Sequence, residues 1–189
     1  MSSFEFVTVL VSVIVGLAVT HLLTGLGRAV HLRQKASLWW VHLLWAATVF
    51  VYLALHWWAL FYLRDESTWN FWVFLYILIH SVLLFFLAVL LYRPDPDGVL
   101  DHRATFELNR SWFFGVFAVA LLADIGTTAI EGNLWDPWYV LPVILHLAAL
   151  ATVGAVVPSA RYQKFLAIYF FAVFVGWSVM VRGVLARAA

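Results

Sequence analysis

Trp69-Asn-Phe-Trp-Val-Phe-Leu-Tyr-Ile-Leu-Ile-His-Ser-Val-Leu-Leu-Phe-Phe-Leu-Ala-Val-Leu-Leu-Tyr92 contains no Asp, Glu, Lys or Arg. Wound as an α-helix at 1.5 Å per residue it would reach about 36 Å, enough to cross a hydrocarbon layer of about 30 Å. A helix of a water-soluble protein keeps one polar face. This stretch has none, so it reads as a membrane span. Five further stretches pass the same test: residues 4–26, 38–63, 112–130, 138–157 and 165–185.

The composition agrees. Of 189 residues, 65% are hydrophobic and 11% charged, with a mean hydropathy of +0.96. Soluble domains are nearer half apolar and a quarter charged. The 11 Lys and Arg nearly balance the 10 Asp and Glu, leaving +1, which is no footprint for nucleic acid. There is no cysteine, hence no disulfide, thiolate metal site or Cys nucleophile. The expected fold is an all-α, six-helix transmembrane bundle forming a single domain over residues 1–189. The first span is read as retained, because Met1 to Phe6 lack the basic n-region of a signal peptide.

Basic residues set the orientation. Arg28, Arg33 and Lys35 follow the first span, Arg93, Arg103 and Arg110 the third, and Arg161 and Lys164 the fifth. Arg64, Arg182 and Arg187 fall on the opposite side. The positive-inside rule then places loops 1, 3 and 5 in the cytoplasm and both termini outside. The loop spanning 93–111 opens with Arg93-Pro-Asp-Pro-Asp-Gly98, a turn signal, and is too short for a catalytic domain. Nine tryptophans near span ends, among them Trp57, Trp72, Trp112 and Trp138, read as interfacial anchors. Gly16, Gly25 and Gly27 read as sites of close helix packing.

His42-Leu-Leu-Trp-Ala-Ala-Thr-Val49 matches His146-Leu-Ala-Ala-Leu-Ala-Thr-Val153 at five of eight positions. Such a match would relate spans 1–3 to spans 4–6 as a weak 3+3 inverted repeat, an arrangement found in transporters.

Ionisable groups are expensive in hydrocarbon and mark functional candidates. Five histidines lie within spans: His21, His42, His56, His80 and His146. At 1.5 Å per residue, His56, His80, His146 and Asp124 lie about 10–16 Å from the outer face, and His21 and His42 about 25–30 Å from it. His31 and His102 fall in loops and read as surface histidines. No Gly-x-Ser-x-Gly, His-Glu-x-x-His or phosphate-binding glycine loop is present.

His42 and His56 stand fourteen residues apart, about 21 Å along the axis and on one helix face. That spacing resembles the paired ligand histidines of di-haem b-type cytochromes. The resemblance covers fifteen residues, and a second helix with two similarly spaced histidines is absent. It implies haem b bound by His21 with His42 at the inner level and by His56 with His80 or His146 at the outer level. The activity would be membrane electron transfer, with a redox partner or a larger membrane complex.

A rival set lies on the fourth span. Asp124, Thr127, Thr128 and Glu131 follow i, i+3, i+4, i+7 and make one polar stripe. With the outer histidines they would form a proton relay, or a divalent-cation site such as zinc on His56, His146 and Asp124. Pro142 would break the fifth span just before His146. In the bland alternative Glu131 pairs with Arg182, and the histidines only join helices of an accessory or assembly subunit. The lipid bilayer is the one partner common to all three readings, and an oligomer is compatible with each.

Overall fold

Polar residues set where the helices begin and end. The computed structural model describes residues 3–31, 39–64, 69–92, 101–132 and 134–188. The sequence expectations for Arg33, Lys35, Arg93, Asp95 and Asp97, and for the Arg182 side chain, lie outside the described residues.

Six α-helices follow one another: α1 (Ser3–His31), α2 (Trp40–Ala59), α3 (Phe71–Leu91), α4 (His102–Ile130), α5 (Val140–Val156) and α6 (Ala160–Ala188). A short 3₁₀ turn, Leu60–Leu63, extends α2. All six expected spans are helical and the described residues hold no β-strand element. Five helices are long and apolar enough to cross a bilayer. The sixth, α5, has 17 residues, about 25 Å, at the lower edge of the spanning range. The protein is a multi-pass membrane protein folded as a helical bundle.

Two boundaries differ from expectation. The fourth helix begins at His102, ten residues before the apolar stretch, so most of the expected loop is helix. Asp101 sets that start: its carboxylate accepts from the backbone N–H of Arg103 (3.0 Å) and Ala104 (3.2 Å). Arg103 and Glu107 then pair at i, i+4 at 2.8 Å on the exposed face. Asn70 caps α3 in the same way, accepting from Trp72 and Val73. Pro142 does not break the fifth helix. It lies in the first turn of α5, where a missing N–H costs nothing. At the far end of α4, Gly132 takes φ +74°, the left-handed conformation that closes a helix C-terminus.

The helices alternate in direction. Hydrogen bonds from early α2 (His42), mid α1 (His21) and early α4 (Asn109) meet the carbonyls of Leu91, Tyr92 and Leu90 at the end of α3. Arg110 on α4 and Gln163 on α6 do the same at the end of α5, reaching Gly154, Ala155 and Val157. Helix C-termini leave unpaired carbonyls that lipid cannot satisfy, so these donors close both ends. We call this end of the bundle the inner end.

The packing centres on α2. Its residues 42, 45, 49, 52 and 56 are all buried, a stripe repeating every 3 and 4 residues. Trp45 lies at the middle of that stripe among Phe113, Phe114, Phe117 and Phe170, with ring centres 5.2–5.8 Å apart. Each such aromatic pair adds about 0.5–1.5 kcal/mol beyond area burial. Of the three α1 glycines, Gly25 alone meets a neighbour: the Tyr92 ring lies on its Cα and leaves no room for a methyl group. Gly16 and Gly27 face open space. On α4, Gly126 accommodates the Tyr76 ring in the same manner.

Candidate functional site

Helices α2, α3 and α4 bring five polar side chains together above the aromatic layer. Tyr52, seven residues along the buried stripe from Trp45, donates its hydroxyl to Asp124 Oδ2 at 2.6 Å. The other carboxylate oxygen, Oδ1, stands 3.5 Å from His80 Nε2. His80 Nδ1 faces the Thr127 hydroxyl at 3.4 Å. The His56 ring packs edge-on against His80, centres 4.5 Å apart. Tyr76 encloses the group from α3, its hydroxyl donating to the Ala123 carbonyl.

Hydrogen-bond arithmetic fixes one tautomer. Ser81 donates its only hydroxyl proton to the Ile77 carbonyl at 2.8 Å. It must therefore accept from His56, whose Nε2 lies 2.9 Å away. His56 carries its proton on Nε2 and is anchored. His80 is not: its Nε2 is buried and makes no hydrogen bond of ordinary geometry among the described residues. A buried unpaired polar atom costs about 1–3 kcal/mol. Closing the gap to Asp124 by about half an ångström would relieve that cost. The imidazole is 1% exposed and the carboxylate 28%, so the acid keeps one edge reachable from outside the bundle.

This arrangement contains His56, His80, Asp124 and Thr127 from the expected outer set, and adds Tyr52, which the sequence gives no reason to single out. His146 is not part of it. That residue is exposed on α5, and its Nε2 meets the Tyr169 hydroxyl at 3.1 Å. Thr128 returns its hydroxyl to the Asp124 backbone carbonyl at 2.9 Å. Glu131 lies just past the end of α4, half-buried, and burial pushes its carboxyl up to about 7.

A second group lies at the inner end. His42 donates from Nε2 to the Leu91 carbonyl at 2.7 Å, and His21 to the Tyr92 carbonyl at 3.2 Å. The surface assignment of His102 does not hold: it is 2% exposed, with its ring 4.8 Å from that of His42 and 6.1 Å from that of Tyr92. The sequence carried a usable signal for this. His102, Phe106, Asn109 and Phe113 recur at helical spacing directly behind the capping Asp101. His31 is exposed, as expected.

The buried histidines do not fit a bis-imidazole haem. Axial imidazoles occupy opposite faces of a flat macrocycle, whereas the His56 and His80 rings touch each other. His21 and His42 both spend the Nε2 proton on neighbouring carbonyls of one helix end, so both hold Nε2 away from any iron. The zinc set also disperses, since His146 lies apart from His56 and Asp124. Among the described residues no three His, Cys, Asp or Glu side chains are arranged to hold a metal ion.

The octapeptide match of α2 and α5 joins unlike environments: His42 is fully buried and His146 exposed. No known protein family, curated protein or solved structure matches this chain.

Proposed function

We propose that this protein takes up and passes protons within the membrane, as a proton-coupled channel or transporter, with Asp124 and His80 as the proton-binding pair. One observation carries the reading. An intramembrane carboxylate on α4 faces a buried imidazole on α3 whose Nε2 makes no hydrogen bond of ordinary geometry among the described residues, across the tyrosine on α2 that orients it. An acid and a base held this close in low dielectric share a proton readily, because neither is well solvated when charged alone. Imidazole is suited to the work: it accepts at one nitrogen and releases at the other. Thr127 faces the second nitrogen of His80, and Tyr52 keeps Asp124 turned towards the first.

Loops 1, 3 and 5 face the cytoplasm in this reading, on the evidence of their Lys and Arg. The inner end of the bundle is then the cytoplasmic end, and the Asp124–His80 pair lies in the outer half.

Purified protein in liposomes, with an imposed potential and an internal pH dye, tests the proposal. Asp124→Asn keeps the shape and the Tyr52 contact but cannot ionise. Proton flux is expected to fall about tenfold or more. Flux equal to that of the unaltered protein would overturn it.

A further inference from the structure

We propose that His42, His102 and Tyr92 form a second proton-binding site, at the inner end of α2, holding a water that carries protons between the inner surface and the bundle interior. The inference rests on the proton-transfer reading and extends it to a place of entry.

Three polar atoms on adjoining rings support it. His42 Nδ1, His102 Nε2 and the Tyr92 hydroxyl are all buried, and none has a hydrogen-bond partner among the described residues. Buried polar atoms are satisfied in the great majority of cases, and three orphans on touching rings point to a common missing partner. A buried water makes two to four hydrogen bonds, which is what this group offers. The tautomer suits proton uptake. Because His42 Nε2–H is committed to the Leu91 carbonyl, Nδ1 presents a lone pair.

The surroundings suit it as well. His21 from α1 is half-buried on the adjacent carbonyl of Tyr92, and Asp101, the acid that caps α4, is exposed beside His102. Protons from the inner surface therefore reach His102 past a carboxylate. Arg103, the nearest cation along α4, is turned outward to Glu107 and over the Trp39 ring at 6.0 Å.

The two sites are separated. From His42 to Tyr52 is ten residues, about 15 Å along α2, far beyond a single hydrogen bond. Trp45 and its four phenyl neighbours fill the interval. The indole N–H of Trp45 is itself buried, with no hydrogen-bond partner among the described residues.

The liposome flux assay, normalised to monodisperse protein, decides the matter with His102→Gln and His102→Phe beside Asp124→Asn. Neither His102 variant removes the bonds that close the end of α3. Both are expected to lower flux about tenfold or more. If Asp124→Asn abolishes flux while both His102 variants match the unaltered protein, the inner site is refuted and the outer pair stands. If flux is absent, or is indifferent to Asp124, the proton-transfer reading fails and this inference with it.

Discussion

Asp124 Oδ1 stands 3.5 Å from His80 Nε2, a shade too far for a hydrogen bond, while its other oxygen holds the Tyr52 hydroxyl at 2.6 Å. The carboxylate is thus fixed on one side and free on the other. In the proposed proton transfer, that asymmetry would orient the acid without committing its second oxygen.

Tyr52→Phe removes the fixed side. A hydrogen bond to a charged group contributes about 1.5–3 kcal/mol, and the loss is expected to appear as a lower melting temperature in detergent together with reduced flux. Unchanged values of both would show that Tyr52 does not orient Asp124.

Gly126→Ala would drive the Tyr76 ring off α4 and break its bond to the Ala123 carbonyl. Overpacking of this kind costs about 1–3 kcal/mol. Gly115→Ala, on the same helix but facing open space, serves as the control and should leave the melting temperature equal or slightly raised. Equal behaviour of the two variants would contradict the packing described.

Arg110 closes the inner end of α5, its guanidinium donating to the Gly154 and Ala155 carbonyls at 2.6 and 2.9 Å. Arg110→Ala removes the charged donor from both carbonyls, leaving Gly154 to Gln163 and Ala155 to Ser111, and should destabilise by about 1.5–3 kcal/mol, with Arg110→Lys recovering part of it. An alanine variant as stable as the parent would show that Ser111 and Gln163 suffice at that end.

Glu131 gives a pH dependence of known sign. Burial raises its carboxyl from 4.5 to about 7 in the folded protein. The unfolded chain loses this proton first, so ionisation favours unfolding. The contribution of this group to stability falls as pH rises from 4.5 towards 7 and is level above that. Glu131→Gln should flatten the corresponding slope in melting temperature against pH. A slope that survives the substitution assigns it to other groups.

Hydropathy disclosed the apolar helices because each needs only a run of residues without charge. It missed the first turns of α4, since His102 to Ser111 is polar enough to resemble a loop and is helical through its cap and buried stripe. The separation of His56 and His80 from His21 and His42 followed from counting residues along the axis. The pairing of side chains did not follow, because it depends on how each helix is rotated. Two nearly matching octapeptides show this: one turns its histidine into the core and the other turns it outward. Tyr52 escaped notice for the same reason, as a tyrosine in an apolar helix gives no sign of what its hydroxyl meets.

The most direct test of the Asp124–His80 pair is an infrared difference spectrum of the protein in lipid between acid and alkaline pH, recorded on the Glu131→Gln background. The expected result is a protonated-carboxyl band that vanishes in Asp124→Asn and shifts in His80→Gln. A spectrum indifferent to both substitutions would contradict it.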